Sequence, residues 1–145
     1  MEPSVVFRQY LSAVVLHSLA SAESAGLNAT DLYALNTLAL SGPLTSGELA
    51  VRAGLTTGAT TRLIDRLERS GYVRRVADPT DRRKVIVEAS GRPARLDEAL
   101  KGARRRLAEL LGDYTDEQQA TLFDYFGKAA NAFQEATDEL TTDRG

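Results

Sequence analysis

The chain has 145 residues, 43% hydrophobic and 26% charged, with a formal net charge of −2. That length and apolar fraction fit one compact domain, or one core with an accessory element, rather than a disordered chain. No cysteine and a single histidine, His17, exclude disulfides and thiol-based redox sensing and leave too few ligands for a zinc site.

Glu2 and Pro3 stand where the positive region of a signal peptide would be. The apolar run from Leu11 to Ala20 is broken by His17 and falls short of the roughly 20 residues needed to span a bilayer. A cytoplasmic protein with no membrane partner is the expectation. From Val5 to about Ala25 the pattern is helical, with Phe7, Leu11, Val14, Val15 and Leu19 on one stripe, and Gly26 ends it. Asn28 with Asp31 caps a second helix, carried by Leu32, Leu35, Leu38 and Ala39 to Ser41-Gly42-Pro43. Thr45 with Glu48 is a capping-box signature for a third, Ser46 to Ala53.

Gly54-Leu55 is a turn, and Thr56 caps a fourth helix reaching Ser70-Gly71. Ala59, Leu63 and Leu67, with Ile64 beside them, are expected to face inward; Thr57, Thr60, Thr61, Arg62, Asp65, Arg66 and Arg69 are left for the outer face. Tyr72 to Ala77 and Lys84 to Ala89 have strand composition, joined by the loop Asp78-Pro79-Thr80-Asp81-Arg82-Arg83. A long helix is expected from near Pro93 to Leu111. Thr115 with Gln118 caps a last one, expected to bury Leu122, Phe123, Phe126, Ala130, Phe133 and Leu140 and to fray from Thr141.

The order α-α-α-α-β-β-α-α predicts a mainly α chain with a small β-hairpin (α+β). A helix-turn-helix runs straight into a hairpin wing over residues 28–91, flanked by helical regions, 1–27 and 92–145. Those flanks carry more apolar surface than a domain of this size needs, and such helices commonly pack against a copy of themselves. Between Arg62 and Lys84 there are eight Lys and Arg against four Asp and Glu, leaving ten against sixteen elsewhere. That segment is therefore a basic island in an otherwise acidic chain, and an electrostatic footprint is a local patch.

A helix entering a major groove needs short polar side chains near its start and cations flanking the phosphates. Thr57, Gly58, Thr60 and Thr61 supply the first, Arg62, Arg66 and Arg69 the second, and Thr56 with the free N–H groups of that turn can hold a phosphate. Arg82 and Arg83 at a hairpin tip can reach a minor groove. No Gly-rich phosphate loop follows a strand, and no nucleophile pairs with the lone histidine, so an enzyme is not expected.

The stretch LTSGELAVRAGLTTGATTRLIDRLERSGYVRRVADPTDRRKVIVEAS resembles the MarR (multiple-antibiotic-resistance regulator) family of winged-helix transcription factors, and the likeness runs over nearly the whole chain. The resemblance implies a homodimer joined by the first and last two helices on a pseudo-palindromic operator. By position it implies DNA contact at Thr61 and Arg62, a minor-groove role for Arg83, a wing-bracing role for Asp65 and a tip-orienting one for Asp81. Where the family's motif ends in leucine-threonine and then glycine, this chain has Ala89-Ser90-Gly91, with Pro93 after it. The family also senses small aromatic or lipophilic anions beside the dimerisation helices, which makes Tyr10, His17, Tyr33 and Arg52 candidate liners. Expected partners are thus double-stranded DNA, a second copy and a small effector, with no cofactor or metal. The competing readings are an architectural DNA binder without an effector and a winged-helix protein-interaction module; cations on both helix and wing speak against the latter.

Overall fold

The computed structural model describes residues 1–91 and 94–142. It holds α1 (Pro3–Ser24), α2 (Ala29–Ser41), β1 (Leu44–Thr45), α3 (Ser46–Ala53), α4 (Thr57–Arg69), β2 (Val73–Ala77), β3 (Val85–Ala89), α5 (Ala94–Leu111) and α6 (Asp116–Thr142). The chain divides into two compact units, Met1–Lys101 and Gly102–Gly145, with the boundary inside α5. The expected start near Pro93 lies outside the described residues, as does most of the tail beyond Thr141; α6 itself continues through Thr142.

In the first unit the helix starts follow from side-chain caps. Asn28 accepts from the Asp31 N–H and Asp31 accepts from the Asn28 N–H, a complete capping box. Thr45 accepts from the Glu48 N–H, but Glu48 takes its return bond from the Thr45 hydroxyl rather than the backbone. Thr45 belongs to β1, a two-residue strand that the sequence pattern did not predict because two residues carry no alternation. β1 pairs antiparallel with β3, Leu44 opposite Val87 and Thr45 opposite Ile86, so the sheet order is β1-β3-β2.

The core gathers Leu32, Ala34 and Leu38 of α2, Leu49 of α3, Leu63, Ile64 and Leu67 of α4, Tyr72, Val73 and Val87 at the base of the hairpin, and Leu96 of α5. Burial of this cluster seats α4 with one long face outward. Two ties join the end of α1 to it. Arg95 of α5 donates Nε–H to the Ser24 carbonyl at 2.9 Å, a cation at a helix C-terminus. Its guanidinium passes close to Gly26, where an added Cβ would meet Nη1 at 3.1 Å, and the φ of +75° there favours glycine. The buried Tyr72 hydroxyl donates to the Ala25 carbonyl at 3.1 Å. Tyr72→Phe leaves that carbonyl unpaired and is expected to cost about 1–3 kcal/mol, read as a lower urea midpoint at constant m-value; an unchanged midpoint would show that the bond contributes nothing net.

The ending Ala89-Ser90-Gly91 closes the hairpin base: Ser90 donates its N–H to the Tyr72 carbonyl at 3.0 Å and its hydroxyl to the Gly71 carbonyl at 2.7 Å. α1 buries only Ser21 and Ala22 and leaves Phe7, Val14, Val15 and Leu19 exposed.

In the second unit, Thr115 and Gln118 exchange the two bonds of a capping box at the start of α6, and Gln119 donates to the Leu111 carbonyl at the end of α5. The expected burial along α6 is corrected. No residue of this helix is buried; Leu122 is half-buried, and Phe123, Phe126, Ala130, Phe133 and Leu140 are exposed. The periodic stripe is present, but among the described residues nothing buries it. Among the described residues no helix is long and apolar enough to cross a membrane.

Candidate nucleic-acid interface

α4 begins at Thr56, whose hydroxyl accepts from the Ala59 N–H at 3.2 Å, so its first turn keeps other N–H groups free to meet an anion. Thr57, Gly58, Thr61 and Arg62 are exposed along its outer face. Thr61 donates its hydroxyl to the Thr57 carbonyl at 3.0 Å, which fixes its rotamer and leaves its oxygen as an acceptor. The Arg62 guanidinium lies back over Gly58: a Cβ there would sit 3.7 Å from Nη1.

Of the residues assigned to the outer face, one is buried and another is exposed but engaged. Thr60 is 2% exposed, with its hydroxyl donating to the Thr56 carbonyl at 2.8 Å. It faces the core beside Leu63 and Ile64, because internal back-bonding satisfies its one polar group and lets it fill an apolar position. Arg66 is partly exposed, but its Nη2 donates to Asp31 of α2 at 2.8 Å.

The hairpin is held to α4 by a residue the sequence reading left without a role. On β2 and β3 the register sets Arg75 opposite Val87, on the face that also carries the buried Val73. A guanidinium on that covered face needs partners, and α4 supplies two. Arg75 donates Nη2–H to Asp65 at 2.6 Å and Nη1–H to Glu68 at 2.8 Å, and its backbone N–H reaches the other Glu68 oxygen at 3.1 Å. The bond to Asp65, with help from Glu68 and against the cost of burial, raises the Arg75 pKa above the ordinary arginine value. Asp65 therefore links α4 to β2 through Arg75. Only the alternation of β2 could have pointed to Arg75, once the face carrying Val73 was taken as covered. Arg74, on the other face, pairs with Glu88 directly across the ladder.

At the tip, Asp78 Oδ1 accepts from the Thr80 N–H and the Thr80 hydroxyl, each at 2.8 Å, and from the Asp81 N–H at 3.4 Å. These donors, the Thr80 backbone first, hold the Asp78 carboxyl below the usual range. The turn's contribution is present above the unfolded carboxyl pKa and lost as pH falls through the lower folded value, so at neutral pH the turn is set. Asp81 accepts from the Arg83 N–H at 3.0 Å and from its Nε–H at 3.3 Å, while the Arg83 side chain is 91% exposed. Arg62, Arg69, Arg82 and Lys84 have no ion-pair partner among the described residues. The result is a surface on which Arg75 engages both acids of α4, offsetting one of their two charges, while the exposed cations Arg62, Arg69, Arg82 and Lys84 outnumber the charge that remains, which suits a polyanion.

Of the four candidate effector liners, the structure joins two. Tyr33 on α2 is half-exposed and donates its hydroxyl to the Arg52 carbonyl of α3 at 3.2 Å. Tyr10 and His17 lie exposed on α1, His17 within reach of the Ser21 hydroxyl. A cavity of about 140 Å³ opens elsewhere, lined by Leu35, Asn36, Ala39, Tyr72, Ala89, Gly91 and Leu96 and by none of the four.

Comparison with known proteins places this geometry in a family. The sequence profile described as "MarR family" matches residues 25–84. The HTH-type transcriptional regulator YcgE of Bacillus subtilis (strain 168) is 38% identical over 136 residues, covering 93% of this chain and 88% of its own. The HTH-type transcriptional repressor MdtR of the same organism is 29% identical over 122 residues, 83% and 77% of the two chains. Among solved structures, a MepR variant of S. aureus bound to an oligodeoxyribonucleotide matches 92% of this chain and 99% of its own, with a TM-score of 0.63 at 18% identity, a likeness of fold.

Proposed function

The chain belongs to the MarR family of winged-helix transcriptional regulators, whose relatives here are regulators and not enzymes, and from that premise we propose that it is a homodimeric repressor of a pseudo-palindromic operator. The observation that carries the reading is the face built by α4 and the wing. Thr57, Thr61 and Arg62 stand clear of the core, Arg82 and Arg83 project from the tip, and Arg75 engages both acids that would repel phosphate, offsetting one of their two charges. In this reading Thr56 and the first turn of α4 hold a backbone phosphate, Thr61 and Arg62 read the major groove, and Arg82 and Arg83, oriented by Asp81, enter the minor groove. Residues 1–27 and 92–145 form the dimerisation region and 28–91 the reading head. MdtR bears the name of a repressor and MepR has been solved with an oligodeoxyribonucleotide; both support this reading.

Release by a small aromatic or lipophilic effector belongs to the same proposal. Its support is the Tyr33 bond to the Arg52 carbonyl, since a ligand competing for that phenol would act on α3, the first helix of the helix-turn-helix.

The test is titration of the purified protein against the intergenic duplex upstream of its own gene and against random duplex, at several salt concentrations. The proposal expects affinity to fall steeply with salt and selectivity of roughly 10³ or more. Equal affinity for both duplexes would make it an architectural binder, and no binding at low salt a protein-interaction module.

A further inference from the structure

Arg62, Arg66 and Arg69 follow one another at helical spacings on α4, and the sequence gives no reason to treat the middle one differently. The structure does. Arg66 Nη2 donates to Asp31 Oδ1 at 2.8 Å, while Arg62 and Arg69 have no ion pair among the described residues. Asp31 is 4% exposed, and its other oxygen is already engaged by the Asn28 N–H at 3.2 Å. A carboxylate buried that deeply is tolerated only when its charge is compensated, and removing one partner of such a pair is far more costly than the pair's net worth. Arg66 is the compensating cation. If it swung out to hold a phosphate, Asp31 would be left buried and charged at the start of α2.

We propose that Arg66 is a positioning residue: paired with Asp31, it seats α4 against the N-terminus of α2 and so sets the angle at which Thr57, Thr61 and Arg62 meet DNA, without itself neutralising a phosphate. The inference rests on the DNA-binding reading above. It gives Asp31, a buried acid away from the outer face, an influence on DNA affinity that its cap alone would not have.

Asp31→Asn separates the two roles with opposite signs. The amide oxygen keeps an acceptor for the Asn28 N–H, so the cap survives, while Arg66 loses its partner. A positioning role expects operator affinity to fall roughly 5- to 30-fold with the slope of log K against log[salt] unchanged. Arg66→Gln should show a similar loss at unchanged slope, and the double variant should be no worse than either single change. If Arg66 instead holds a phosphate, Asp31→Asn frees it and affinity stays equal or rises, and Arg66→Gln lowers the salt slope by about one; either result overturns the proposal. Thermal melts fix a temperature at which each variant is folded, and should Arg66→Gln fail to fold, Asp31→Asn decides alone. Failure of the native chain to prefer its upstream duplex over random sequence is a separate outcome, which overturns the functional reading and this role with it.

Discussion

Arg83→Ala is expected to weaken operator binding by about 1–3 kcal/mol and to leave the fold untouched. The second half follows from exposure: the side chain is 91% accessible and, among the described residues, pairs with Asp81 of its own loop, and surface changes of that kind usually stay within about 0.5 kcal/mol. The first half follows from what the loop does with it. Asp78 fixes the turn and Asp81 receives both the backbone and the side chain of Arg83, so the guanidinium is held in advance near one direction, and less entropy is lost when it enters a groove. Arg83→Lys should restore most of the salt slope, because the charge returns, but only part of the affinity, because a compact, strongly hydrated ammonium suits a narrow minor groove less well. The measurements are fluorescence anisotropy across salt concentrations and a thermal melt. Unchanged affinity in Arg83→Ala would mean that the wing is not engaged with DNA.

Why Arg83 could be singled out in the sequence while Arg75 could not is a matter of range. Caps, turns and periodic faces are local, so Asn28–Asp31, Thr56, Gly54 and the Leu63–Leu67 stripe could all be read from spacing, and the structure has them in place. The Asp78–Arg83 loop is local in the same sense. Arg75 is different, because its meaning depends on which face of β2 is covered, and that is settled by the packing of α4 on β2, with Val73 buried on that face. The burial of Thr60 and the pairing of Arg66 escaped the pattern for related reasons. A threonine whose hydroxyl bonds back to its own helix can behave as an apolar residue, and an arginine at an outer position can still reach a buried acid 35 residues away. The two-residue β1 left no signal, since its pairing is made entirely by β3. Burial along α6 was misjudged differently: the apolar period was correct, but a period says that a face will be covered without saying by which chain.

That uncovered face leads to the largest expected effect. Phe133→Glu should convert the protein to a monomer at micromolar concentration and lower operator affinity by at least a hundredfold. In α6, Phe123, Phe126 and Phe133 are 56%, 42% and 53% exposed, the first two in an edge-to-face contact 6.1 Å apart, and apolar side chains massed this way on one helix mark an interaction site. Should α6 lie in an interface between two identical chains, every change counts twice. Each buried phenylalanine is worth about 1.5–3 kcal/mol, and its replacement also places a carboxylate from each copy where it must be desolvated. DNA affinity follows, because a monomer engages one half-site at a time and loses the gain of linked binding, typically 10² to 10⁴. The same substitution should spare the chain's own fold, since α6 has no buried residue to disturb; circular dichroism would show unchanged helicity. Sedimentation equilibrium beside operator titration decides the matter. A dimer that persists with native affinity would move the interface away from this face of α6, and a monomer that still binds the operator at full strength would break the link between dimerisation and DNA recognition.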